Sequence, residues 1–555
     1  MAKTDEIKVI PVVPLSGGWD TFLAGSARQA LEKSILPHFL QGQRWFGGKA
    51  RRVKAVRLVD WRVLPKGPEM GWLVVVRVEY AAGASDLYFL PLGVARDSSG
   101  EPPPSLKSYV VARLRGPHGE GFLYDLVADD DACEAWVSAW KSPGELPTRV
   151  GIIRGFPTEA YPSLRGRAEE ALPVTRLPAT SSNSLVLYGQ RLLIKIFRRL
   201  EEGINPDFEV GRFLTEKTRF DRFPRTGGAL EYHRPGSEPI TLAILQEFIP
   251  NQGSGWQHVL EEMGRYFERT RGRGADLPAP ENRPVLELAQ SEPPTVVRET
   301  VAGYLDIAAT LGRRTGEMHL ALGSDPGDPA FAPEPLTAAD LTALTRGLRE
   351  QAHEAVAALK DNLGRLSGAT EQQARRLLQD VPGFLEGLRE LPTQFGETAK
   401  IRCHGDYHLG QVLWVDNDFI ILDFEGEPAR SVAERRVKQP PLKDVAGMLR
   451  SFNYAAYAGL FAFTQDRPAE LERLEPWADL WQKWTAAAFL MAYRKATTEA
   501  HLLPDDPREF QALLQLLVLD KAFYELIYEL NNRPDWVRIP LEGILALMKG
   551  IGSRE

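Results

Sequence analysis

The chain has 555 residues, enough for two to four domains or subdomains, and 43% hydrophobic with 25% charged residues suits a globular protein with sizeable cores. A net charge of −7 argues against a nucleic-acid or acidic-lipid partner. Two cysteines, Cys133 and Cys403, exclude a disulfide scaffold and point to a reducing cytoplasm; neither a secretory leader nor a membrane-spanning apolar run is expected.

In chain order, residues 1–145 are β-prone and aromatic, and predict a small α+β module. A helix is expected over 26–36, and strands over 55–61, 72–80 and 86–92. The run Arg44-Trp45-Phe46-Gly47-Gly48-Lys49 lacks the spacing of a phosphate loop and reads as a structural turn anchored by its two aromatics. A Pro-, Gly- and Arg-rich connection follows over 145–178, opening a second β-rich region over 146–255.

There, a Ser-rich turn containing Ser182 precedes a hairpin over 185–188 and 192–197. Lys195 lies inside the second strand among Leu193, Ile194, Ile196 and Phe197, where burial is costly without an anion. Its expected partners are nucleotide phosphates and Glu209, on the helix that begins near Asn205-Pro206-Asp207. The apolar strand 241–249 breaks at Pro250, and the backbone of Glu247, Phe248 and Ile249 is the expected adenine edge.

Residues 256–555 turn helical, with spacing for helices over 305–322, 336–366 and 371–391, the last expected to break at Pro382-Gly383. Residues 270–294 read as a mobile loop. His319 reads as a packing residue.

The stretch 401–428, IRCHGDYHLGQVLWVDNDFIILDFEGEP, carries the chemistry. Strands over 412–415 and 419–422 flank the turn Asp416-Asn417-Asp418, so a loop presents Asp406 and a strand end delivers Asp423. Phosphoryl transfer needs one carboxylate for the acceptor hydroxyl, and a second carboxylate with an amide oxygen for Mg²⁺. Asp406 is assigned the first role, and Gln411 with Asp423 the second. Beyond it, 430–441 is basic and occupies the place of an activation segment, 443–457 predicts a helix, and a last long helix over 505–532 sets Lys521, Glu525, Tyr528 and Asn532 on one stripe. Candidate acceptor contacts are His404, Glu425, Arg430, Glu525, Tyr528 and Asn532.

With these residues in place, the chain resembles the aminoglycoside-phosphotransferase-like kinases, and more narrowly the maltokinases, including those fused to trehalose synthase. The matching stretches are QRWFGGKAR, LLIKIFRRLEEGINPDFEVGRFLTE, LQEFIPNQG, CHGDYHLGQVLW, ILDFEGEP and LDKAFYELIYELNNRPDW, spread from residue 43 to residue 536. The resemblance implies an α+β bilobal kinase fold behind an N-terminal cap, with ATP and Mg²⁺ as cofactors. It also implies phosphorylation of maltose at the anomeric hydroxyl to maltose 1-phosphate, feeding α-glucan synthesis, with trehalose synthase as a partner. Two alternatives stand beside it: a kinase for another sugar such as glucosamine, and a non-catalytic subunit docking trehalose synthase. The Ser-rich first turn, Tyr407 and the 270–294 insertion depart from the family pattern.

Overall fold

The computed structural model describes residues 10–66, 69–97, 100–117, 119–139, 144–167, 170–178, 182–273, 281–387 and 396–552. It is α+β and divides into two compact units, one of Met1–Glu216 with Pro224–Ile249, the other of Lys217–Phe223 with Pro250–Glu555. Among the described residues no helix is long and apolar enough to cross a membrane.

The first unit contains two sheets. In the first, Val53–Lys66 and Glu69–Tyr80 form a long hairpin, and the sheet continues through Leu92–Arg96, Gly119–Asp125 and Val110–Gly116. On the other side it ends at Asp86–Phe89 and the short strand Arg199–Leu200. The second sheet is antiparallel, in the order Val174–Leu177, Asn183–Tyr188, Leu192–Phe197, Ile240–Glu247, Thr226–His233, Ile152–Pro157 and Glu145–Pro147. Its central strands are rich in Ile, Leu and Val and buried on both faces, the expected composition for such positions.

Residues 1–145 have a core of their own, with Val13, Phe22, Trp72 and Leu114, and also share one with the second sheet. Leu73, Phe89, Tyr124 and Trp136 share one hydrophobic core with Val186, Tyr188, Ile194 and Leu245. The chain that leaves the second sheet at Phe197 re-enters the first at Arg199, so one segment is a strand of both. Arg198, between them, buries a guanidinium against Asp125 (2.7 Å) and Ser184 (2.8 Å). Trp45 and Phe46 are buried against Tyr88, in the structural role read from their sequence.

The second unit is mainly helical. Leu442–Thr464 is apolar around nearly its whole circumference and is buried accordingly, the pattern of a central helix. Around it run Gly255–Arg271, Tyr304–Leu322, Leu471–Thr497, Pro507–Asn532 and Arg538–Gly552. Trp477, Trp481 and Trp484 share one face of Leu471–Thr497 and are all buried. Gly312 lets Tyr304–Leu322 approach the Phe489 carbonyl, where any Cβ would collide with backbone.

Two expectations about the helices change. Gly368–Gly387 runs through Pro382 without ending, because Leu377, Val381 and Leu385 are buried on one face that must stay continuous. Within 270–294, Gly255–Arg271 enters the stretch, Val285–Leu288 forms a helical turn and Pro294 caps another, while 274–280 lie outside the described residues.

Candidate functional site

One cluster of the expected site residues lies in the second unit. Val412–Val415 and Asp418–Ile421 pair as a hairpin whose two turn residues, Asp416 and Asn417, have φ of 48° and 62°. Positive φ at both central positions fits a type I′ turn, which Asp and Asn tolerate. The hairpin carries Gln411 just before its first strand and Asp423 just beyond its second. Gln411 Nε2 donates to Asp423 Oδ2 at 3.0 Å. Asp423 itself has φ of 66°, a left-handed conformation that side-chain-bearing residues adopt at a cost.

A buried aspartate braces the His404-Gly405-Asp406 loop. Asp444 accepts the His404 N–H (2.8 Å) and the Gly405 N–H (2.9 Å), and His319 Nε2 donates to it (3.0 Å). Burial raises the Asp444 carboxyl, but His319, His404 and the loop amide more than offset that and hold it below the ordinary range. Gly405 has φ of 87°, and a Cβ there would lie 3.2 Å from Gly426 Cα, so loop and strand end meet only with glycine.

His404, expected to touch the acceptor, is 1% exposed. Its Nε2 donates to the Leu422 carbonyl (2.7 Å), and its Nδ1 accepts the Asp406 N–H (3.4 Å). The ring therefore ties the Asp406 loop to the residue preceding Asp423. That is a positioning role.

The Asp406 carboxylate is one-fifth exposed and meets Lys521 Nζ at 3.2 Å. His408 Nδ1 accepts the Gly410 N–H (3.0 Å), so the neutral ring carries its proton on Nε2, 4.0 Å from Asp406 Oδ2. Burial lowers the His408 pKa and favours that neutral form. Lys521 also reaches Glu427 at 3.4 Å, and Arg430 Nε donates to Glu427 at 2.6 Å. Burial raises Glu427, but Lys521, Lys443 and Arg430 outweigh it and bring its pKa down to about 2.

The remaining candidates separate. Glu525 pairs with Arg450 at 2.7 Å, and Arg435 donates to the Glu425 carbonyl at 3.2 Å. Tyr528 and Asn532 fall on the exposed end of Pro507–Asn532, seven and eleven residues past Lys521 and therefore roughly 10 and 16 Å along the helix. The structure does not bring these two to Asp406. The 430–441 segment is anchored near its far end. Lys438 Nζ donates to the Pro329 and Ala332 carbonyls and to Glu334, and Gln439 bridges to Ile401.

The residues expected to meet the nucleotide lie in the first unit. Lys195 is buried on its strand and meets Asp207 at 3.0 Å. Asp207 stands in the first turn of Pro206–Lys217, where the helix dipole favours a carboxylate. Asp207 is a partner that the sequence reading did not name; it lies two positions before the expected Glu209 on the same helix. Glu247 forms a bidentate pair with Arg225 (2.8 and 2.9 Å). The Glu247 and Phe248 N–H groups bond to the Arg225 and Arg191 carbonyls, so two of the amides expected at the adenine edge are committed to neighbouring backbone. The Ser182 carbonyl accepts the Arg198 N–H; Thr180 and Ser181 of the same turn lie outside the described residues.

Sequence reading passed over Asp444, Asp207 and Glu427 as functional groups, and named Lys521 only as one residue of a stripe. Asp444 and Asp207 carried a signal, an acid in the first turn of a helix, which is too common to single out. Gln411 and Asp423 offer hard oxygen donors side by side, the donor type Mg²⁺ takes, and an exchange of amide O and N would turn the Gln411 oxygen toward the carboxylate.

Residues 39–129 match the model of the maltokinase N-terminal cap domain, and residues 255–481 that of the phosphotransferase enzyme family. A glucosamine kinase of Streptacidiphilus jiangxiensis is 26% identical over 486 residues, covering 83% of this chain and 95% of its own. A glucosamine kinase of Mycolicibacterium smegmatis is 26% identical over 423 residues, covering 76% and 88%. The solved structure of a glucosamine kinase in complex with glucosamine, ADP and inorganic phosphate superposes with a TM-score of 0.58 at 22% identity, over 92% of this chain and 98% of that one. At that identity the likeness shows the fold, a phosphotransferase-type kinase fold with an N-terminal cap domain.

Proposed function

We propose, for a chain that belongs to the aminoglycoside-phosphotransferase-like kinases and carries a maltokinase-type N-terminal cap domain, that it transfers the γ-phosphoryl group of Mg-ATP to a hydroxyl of glucosamine. The observation that carries the reading is the mounting of Asp406, Gln411 and Asp423 on one braced loop and hairpin, with His404 bonded to both segments. Asp406 accepts the proton of the acceptor hydroxyl. The freed oxygen bonds to the γ-phosphorus as the bond to the ADP oxygen breaks. Gln411 and Asp423 would hold Mg²⁺, which neutralises phosphate charge when bound. Lys195, paired with Asp207, would contact the nucleotide phosphates, and the backbone at Ile249 and the Ser182 turn are the candidates for the base and phosphate edges.

Glucosamine is put first because both curated relatives act on it by name. Maltose is the second reading, favoured by the match of the cap model, and a partnership with trehalose synthase belongs with it. A binding-only subunit is disfavoured by the full set of carboxylates.

ADP release from Mg-ATP, followed over glucosamine, maltose, glucose and trehalose, tests the reading. A signal with glucosamine supports it, a signal with maltose alone moves the chain to the second reading, and silence from folded protein overturns both. Asp406→Ala should lower turnover by ~10²–10⁴-fold with nucleotide affinity nearly unchanged, whereas Asp423→Ala should weaken Mg-nucleotide binding itself.

A further inference from the structure

Three segments far apart in sequence meet at the base: the catalytic loop, the loop after Asp423, and the long helix Pro507–Asn532. They meet through charges of alternating sign. Arg430 bonds Glu427, Glu427 faces Lys521, and Lys521 bonds Asp406 Oδ1. We propose that this run of charges is a positioning device for the base, in which Lys521 sets the orientation of Asp406 and Glu427 holds Lys521 through the reaction; the proposal rests on the kinase reading above.

The Lys521 side chain is 20% exposed, and an ammonium so far withdrawn from water needs anionic partners. It has two. Burial lowers its pKa, but Asp406 and Glu427 together more than reverse this, so it stays charged. By holding Oδ1, Lys521 turns Oδ2 toward the His408 side, and Oδ2 is then the oxygen presented to the acceptor hydroxyl. When that proton moves to Oδ2 and the new P–O bond forms, Asp406 loses its charge and its hold on Lys521 weakens. Glu427 does not change, and Arg430 fixes it from the far side. The ammonium therefore stays beside the base, ready to bond Asp406 Oδ1 again for the next turnover.

Other charged groups face this run. His408 comes from the catalytic loop, Glu525 and Asp520 from the same helix as Lys521, and Lys443 from the helix behind Glu427. Glu525 is drawn off by Arg450 and His408 is neutral, which leaves Lys521 as the cation in hydrogen-bond contact with Asp406.

The test uses the full chain with Lys521→Met, Lys521→Arg and Glu427→Gln, with kcat and KM measured for acceptor and Mg-ATP. Lys521→Met should lower kcat about 10- to 100-fold, leaving KM for Mg-ATP within about two-fold. Lys521→Arg should restore most of kcat, and Glu427→Gln should lower kcat by less. A folded Lys521→Met variant with wild-type kcat, or one that Lys521→Arg does not rescue, overturns the proposal. Should Lys521→Met not fold, an unchanged kcat in Glu427→Gln overturns it instead. Wild-type protein without transfer to any sugar defeats the kinase reading and this proposal together; active wild type with unmoved variants defeats this proposal alone.

Discussion

Asp423 combines two facts that favour function over stability. It neighbours Gln411 in a hard-oxygen pair, and it occupies a left-handed backbone conformation that costs a side-chain-bearing residue about 1–2 kcal/mol. Asp423→Gly should therefore be more stable than Asp423→Ala by about 1 kcal/mol, although both lose the same carboxylate. Equal urea midpoints for the two variants would show that the conformation stores no strain. Glu427 makes a second prediction, this time in pH. Its folded pKa of about 2 lies below its ordinary 4.5, so its contribution is fully present above pH 4.5 and is lost as pH falls through the folded value. The shift corresponds to about 3 kcal/mol at most. Urea titrations across that window should show a stability loss on acidification that Glu427→Gln lacks; identical slopes in both proteins would place the acid-sensitive groups elsewhere.

At the scale of elements, the catalytic loop has little regular structure and is rigid because a helix supplies what its backbone needs. Loop amides turned inward cost free energy unless they are bonded, and Asp444 at the start of Leu442–Thr464 takes two of them. Asp444→Asn puts an NH₂ group where every neighbour is a donor. The expected cost is about 1–3 kcal/mol of stability, with a fall in kcat larger than any change in KM for Mg-ATP, since the change falls on the loop that holds Asp406. Retention of wild-type kcat would mean that the loop holds its shape without Asp444. The same helix supplies Arg450 to Glu525, so one central element organises the loop, the base and the stripe of the long helix.

For the molecule as a whole, the N-terminal region and the kinase sheet behave as one unit because they share a core and one continuous segment of chain. The buried Arg198–Asp125 pair lies three residues from Lys195. Asp125→Ala leaves that guanidinium buried without its anion, a change that typically costs about 3–5 kcal/mol. The first unit should unfold at markedly lower urea, and nucleotide affinity should fall with it. Wild-type stability in this variant would show that the cap is an appendage after all.

The hairpin of 401–428, the strand around Lys195 and the start of the following helix were legible from residues alone, because each depends on local signals: a two-residue turn, β-branched alternation and a proline after asparagine. The grouping of Asp406, Gln411 and Asp423 was legible for the same reason, as all three lie on one short stretch whose geometry the turn sets. The partners were not. Asp207 against Lys195, His319 and Asp444 behind the loop, and Lys521 beside Asp406 depend on which helix faces lie against which loops, over separations of up to 125 residues. An acid or a lysine on a helix carries no local mark of its partner. Only the tertiary structure, by burying each charge where it must find an opposite one, decided which of them serve the site.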